Sequence, residues 1–146
     1  MATRQITDWK HRGTLYTNSN ATAELTVDAT PRKIAALDAV GLQAGLTVDT
    51  ANNEIVIASA GDYMAVGSIS FSGSAGDTFE VAIYKNTSPT GYVLERKIGV
   101  GGDVGNSHVN GLITCVAGDK ISLYQSTIDG NGMTITNAQL TVVREG

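Results

Sequence analysis

Apolar and polar residues alternate along most of the chain after about residue 45. Over residues 63–71, Tyr63, Ala65, Ile69 and Phe71 fall on one side with Gly67 between them, and Ser68 and Ser70 fall on the other. Phe79, Val81 and Ile83 alternate in the same way with Glu80 and Tyr84. A period of two marks a strand with one face on a core and one toward water. Runs rich in β-branched residues extend the pattern at 109–116, 120–124 and 138–143, and shorter runs stand at 23–27, 46–49, 55–58, 93–98 and 132–136. Roughly nine or ten strands at this spacing predict an all-β sandwich.

Turn signals separate the runs. Ala-Gly-Asp occurs at Ala60-Gly61-Asp62, Ala75-Gly76-Asp77 and Ala117-Gly118-Asp119, each time just before a predicted strand. Glycine supplies the positive φ of a tight turn, and aspartate bonds the local backbone. The unequal intervals exclude a solenoid repeat. Asn52-Asn53 and Asp129-Gly130-Asn131-Gly132 predict hairpin tips. Residues 34–40 fit one or two helical turns ending at Gly41, and fit an extended segment as well. Residues 1–22 are polar, lack a firm period and hold the one tryptophan, Trp9. They predict an extended N-terminal arm ahead of a sandwich domain over 23–146.

Composition narrows the picture. A chain of 146 residues can bury a sufficient core without disulfides or a metal. Seventeen glycines against two prolines fit many tight turns between strands. Cys115 is the one cysteine, so no intrachain disulfide can form, and its setting in Leu-Ile-Thr-Cys-Val suits a buried small hydrophobe. The net charge of −4 argues against non-specific nucleic-acid binding. Residues 1–33 carry five basic against three acidic residues and the remainder five against eleven, so a mildly basic start precedes an acidic body. No run is long and apolar enough to span a bilayer and no apolar leader opens the chain. Synthesis in the cytoplasm and no membrane partner are expected.

The candidate chemistry is sparse. His11 and His108 lack partners at metal or triad spacing. The Asp129–Gly132 stretch lacks the spaced carboxylates and terminal Glu of a calcium loop. The glycine-rich stretch 99–105 lacks the Lys-Ser/Thr ending and following helix of a phosphate loop. Asn20-Ala-Thr22 and Asn86-Thr-Ser88 match the glycosylation sequon, but without a leader they read as accidental. The expectation is a protein that is not an enzyme and takes no cofactor, metal or small-molecule substrate. Two binding candidates remain. Trp9, Lys10, His11 and Arg12 form a basic patch with an aromatic anchor, suited to docking the arm. Gly101, Gly102 and Asp103, with Asn106 just beyond, form a candidate exposed binding loop.

Four stretches resemble a known superfamily. Gly61-Asp-Tyr-Met-Ala-Val-Gly-Ser-Ile-Ser-Phe71 resembles the G-x-Y-x-x-x-x-x-[IV]-x-F strand of the C1q/tumour-necrosis-factor-like jelly rolls. Val81-Ala-Ile-Tyr-Lys-Asn86 resembles the strand that follows it, Gly118-Asp-Lys-Ile-Ser-Leu-Tyr124 the late G-D-x-[IV]-x-[LVI] strand, and Leu140-Thr-Val-Val143 the closing strand. The resemblance spans about residues 46–144. It implies a jelly-roll β-sandwich of two five-stranded sheets and a homotrimer about a threefold axis. The Ser/Thr/Asn/Gly-rich style and the bare N-terminus are similar to jelly rolls in the virions of tailed bacteriophages. That similarity implies a capsid decoration, or cement, protein on the outer surface of the virion, with the major capsid protein as partner. The alternative it implies is a receptor-binding fibre or tail tip that recognises a host glycan or protein.

Overall fold

The computed structural model describes residues 11–18, 22–24, 29–100 and 102–145. Within them the strands are β1 (Arg12–Tyr16), β2 (Thr22–Glu24), β3 (Arg32–Lys33), β4 (Ala39–Ala44), β5 (Thr47–Asp49), β6 (Glu54–Val56), β7 (Gly61–Ser72), β8 (Thr78–Lys85), β9 (Ser88–Lys97), β10 (Gly105–Cys115), β11 (Lys120–Thr127) and β12 (Met133–Glu145). One sheet runs β10-β7-β12-β1-β4, with β2 beside β12. The other runs β5-β6-β11-β8-β9, with β3 beside β11. Every pairing is antiparallel. Each sheet is therefore a five-stranded path plus one short strand, which is the expected sandwich with a small addition.

The core lies between the sheets and is filled by the residues that the alternation assigned to it. Tyr63, Ala65, Ile69 and Phe71 of β7, with Leu140 and Val142 of the adjacent β12, face Phe79, Val81 and Ile83 of β8 and Ile121 and Leu123 of β11, all buried. Burying one such large side chain contributes roughly 1.5–3 kcal/mol. Phe71 and Phe79 meet edge to face at 5.5 Å, the geometry that aromatic quadrupoles favour.

Three local expectations change, and the open choice at residues 34–40 is decided. Arg12–Tyr16 is not part of an arm. It is a strand inserted between β12 and β4, with Leu15 fully buried, so the sandwich begins no later than Arg12 rather than at residue 23. Residues 34–38 are extended and carry buried Ile34, Ala36 and Leu37, and Gly41 lies within β4 instead of ending a helix. The two runs at 132–136 and 138–143 are one strand, β12, broken in register between Ile135 and Asn137; such a bulge inserts one unpaired residue and flips the alternation. The Asp129–Gly132 stretch is not a hairpin tip. It carries the chain from β11 in one sheet to β12 in the other, with Gly130 at a φ of 78°. Asp129 Oδ2 accepts the Thr78 N–H at 2.8 Å and ties this crossing to the start of β8.

Two of the Ala-Gly-Asp copies are turns with left-handed glycines, Gly76 at 87° and Gly118 at 92°. The third is not, because Gly61 already pairs with Cys115 as the first residue of β7. Where β9 and β10 meet at the sandwich edge, two flat side chains lie over glycines. Arg96 covers Gly105 and Tyr92 covers Gly111, each so closely that a Cβ would collide. Tyr92 Oη donates to Leu112 O at 2.7 Å and Arg96 Nη1 to Asn106 O at 3.2 Å, so both clamps are hydrogen-bonded.

Candidate functional site

Register sorts the outer face of the first sheet into rows, because directly paired residues of antiparallel strands share a face. The row nearest one end holds Thr114, Asp62 and Glu145. The next holds Leu112, Met64, Val143, Arg12 and Ala44, and the one after it Asn110, Val66, Thr141 and Thr14. Then come His108, Ser68, Gln139, Tyr16 and Ala39, and finally Asn106, Ser70 and Asn137. An apolar band, Leu112–Met64–Val143 with Val66, thus adjoins a neutral polar field. Charge is confined to Arg12, Asp62 and Glu145 at one end. Thr14 and Thr141 share a hydrogen bond at 3.0 Å across the middle.

The polar field is concave. A hollow of about 560 Å³ is lined by Tyr16, Thr17, Ser68, Ser70, Asn106, His108, Asn137 and Gln139 among others. Its groups are amides, hydroxyls and one imidazole, which donate and accept hydrogen bonds without fixed charge. Depletion of charge beside an apolar band is the composition of interface cores. The sheet edges add to this: Leu112 on β10 is 53% exposed, and Val40 and Leu42 on β4 are 46% and 63% exposed.

The expected site residues are distributed differently from the sequence expectation. Trp9, Lys10 and Gly101 lie outside the described residues. His11 and Arg12 are held against the sandwich: the His11 carbonyl accepts the Arg144 N–H at 2.9 Å, its Nε2 lies 3.4 Å from Ser59 Oγ, and Arg12 pairs with Val143. Gly102 takes a φ of 86° and Asp103 N–H donates to Val100 O at 3.1 Å, a turn at one end of the sandwich. Asn106 belongs instead to the hollow on the sheet face, beside His108. The structure therefore separates Asn106 from the loop with which sequence grouped it. The apolar band went unnoticed in the sequence because its members come from three distant strands.

The second sheet presents a different outer face. Glu54 is buried between Lys33 Nζ at 2.8 Å and Lys120 Nζ at 3.0 Å. Tyr84 and Tyr124 stack with ring centroids 3.9 Å apart. Cys115, at the end of β10, is buried, and burial is the main cause that pushes its thiol up to about 11, with the Asp119 charge adding to it. At neutral pH it stays protonated and unreactive. Among the described residues no group of three or more His, Cys, Asp or Glu side chains is placed to hold a metal ion. Asn86, in the second sequon, uses its side chain locally, donating to Asp119 Oδ1 and accepting the Lys120 N–H, both at 3.1 Å.

No family model matches the chain, and no curated protein matches it in sequence. Solved structures do match in shape. The TNF Eiger of S. frugiperda superposes with a TM-score of 0.72 at 9% identity, covering 93% of this chain and 92% of that one. The globular domain of the zebrafish complement 1qA protein superposes with a TM-score of 0.61 at 12% identity, covering 94% and 98%. At such identities the likeness speaks for architecture alone, and with the two antiparallel sheets it shows that the chain has a C1q/TNF-like jelly-roll fold.

Proposed function

We propose that the chain is a bacteriophage capsid decoration protein that binds the outer capsid surface as a homotrimer and stabilises the shell. The observation that carries the trimer is the first sheet. Its two edges, β4 and β10, are unlike, both expose apolar side chains, and the face between them is nearly free of charge. A cyclic ring needs two different, complementary patches on each subunit. Edges on opposite sides of one sheet supply them. The similarity in style to virion jelly rolls supports the capsid as partner. Threefold presentation would turn weak contacts with neighbouring capsomers into strong attachment through avidity. In this reading the protein works by its surfaces and not by catalysis, and the segment holding Trp9 and Lys10 reaches toward the shell.

The hollow lined by Asn106, His108, Asn137 and Gln139 favours the second reading, a fibre or tail tip that grips a host glycan, because neutral amides and hydroxyls suit sugar hydroxyls. Co-sedimentation separates the two. Full-length protein is mixed with undecorated shells of the phage that carries its gene and, in parallel, with host cells. Decoration predicts saturable pelleting with shells. Pelleting with cells and not with shells rejects decoration for the tip.

A further inference from the structure

The outer face of the second sheet is pitted at one point. Ala82 of β8 is the smallest side chain of its row, with Tyr124 of β11 on one side and Val93 of β9 on the other. Tyr84 and its cross-strand partner Pro89 close the dent toward one end, and Glu80 closes it toward the other. The recess has a volume of about 200 Å³. Its sides are aromatic and apolar, and Val93 is 54% exposed. Its far end is acidic, because Glu80 stands directly opposite Glu95 on the same face. Like charges at opposed positions destabilise a sheet. Among the described residues, neither carboxylate has a cation within 4.0 Å. Glu80 has the Ser126 hydroxyl as a hydrogen-bond donor at 3.3 Å.

We propose that this recess receives a lysine or arginine side chain projecting from a partner protein. The aliphatic stem of such a side chain lies along Tyr124 and Val93. Its cationic head meets the tyrosine ring and the two carboxylates together. Charge decides the occupant. An apolar side chain would fill the dent and leave the carboxylates opposed, and an acidic one would be repelled. The recess lies on the layer opposite the face proposed to join subunits, and it stands whether or not the partner is a capsid.

The test titrates ¹⁵N-labelled full-length protein with acetyl-Gly-Lys-Gly-amide and acetyl-Gly-Arg-Gly-amide at matched ionic strength. Acetyl-Gly-Gln-Gly-amide and methyl glucoside are the controls. The expected result is amide shifts centred on residues 80, 82, 93 and 124 with the basic peptides alone. Glu80→Gln and Tyr124→Leu each weaken binding about threefold, the size of one exposed ion pair or cation–π contact. Ala82→Leu fills the dent and abolishes the shifts; should that variant unfold, Glu80→Gln/Glu95→Gln, which relieves repulsion, carries the test. No shifts, shifts scattered over the acidic surface, or equal response to the glutamine peptide overturns the proposal. Recess shifts with methyl glucoside alone overturn it in favour of a sugar.

Discussion

Gly111→Ala is a sharp probe of how the two sheets are clamped. Gly111 faces inward from β10, under the ring of Tyr92 on β9. An added Cβ would lie under 3.0 Å from Tyr92 Cγ, Cδ2 and Cε2, so the whole ring must lift. The ring cannot swing freely, because its hydroxyl is bonded to Leu112 O at 2.7 Å. Overpacking costs about 1–3 kcal/mol and a lost hydrogen bond about 0.5–1.5 kcal/mol. Together they set an expected loss of about 2–4 kcal/mol, or a fall in Tm of roughly 5–15 °C for a chain of this size. Gly99→Ala is the control, since nothing lies within 4 Å of its Cβ position and its φ is not left-handed; it should stay within about 0.5 kcal/mol of the parent. The assay is denaturation followed by circular dichroism at one protein concentration, because association shifts apparent stability. In a Tyr92→Ala background the cost of Gly111→Ala should nearly vanish. A Gly111→Ala protein as stable as the parent, or an undiminished cost without Tyr92, would refute the clamp.

Three further predictions rest on other parts of the sandwich. Burial raises the Glu24 carboxyl above its ordinary 4.5, while the N–H groups of Ala35 and Ala36 pull it partway back. The native state therefore binds this proton more readily than the unfolded state, so its stabilising contribution is present below 4.5 and is lost as pH rises through the raised value. Glu24→Gln, which can still accept the Ala35 N–H now at 2.9 Å, should flatten that pH slope and be at least as stable at pH 7, and a steeper slope would contradict this. Cys115, buried with its thiol near 11, should resist an aromatic disulfide reagent in the native protein and react fully after unfolding; rapid native labelling would show that it is accessible. Deleting residues 1–10 should keep the fold and weaken attachment to shells. Deleting residues 1–20 should unfold the chain, because it removes β1 from between β12 and β4 with its fully buried Leu15, and a stable, folded product would show that β1 is dispensable.

The long strands could be read in advance because their inward residues are large: Tyr63, Phe71, Phe79 and Ile83 stand out against serines and glutamate. β1 could not, for a reason that lies in its neighbours. Its inward residues are Gly13 and Leu15, and Gly13 is small because Leu46 and Val48 occupy the space its Cβ would need. A glycine at an inward position hides the period. In β12 the register break after Ile135 reverses the alternation, so one strand looked like two. The Asp129–Gly132 connection has turn chemistry that serves a hairpin and an inter-sheet crossing equally, and only the pairing of β11 with β8 and of β12 with β7 tells them apart. The candidate interface was hidden most fully. Leu112, Met64 and Val143 are unremarkable singly and become a band only when register sets them side by side.

Cryo-electron microscopy of shells saturated with the full-length protein tests the central proposal most directly. Decoration by a trimer predicts density for three chains about a threefold axis, with the β4 edge of each facing the β10 edge of the next, and loss of that density with Leu112→Glu. Bare shells, or single chains bound separately, would contradict it.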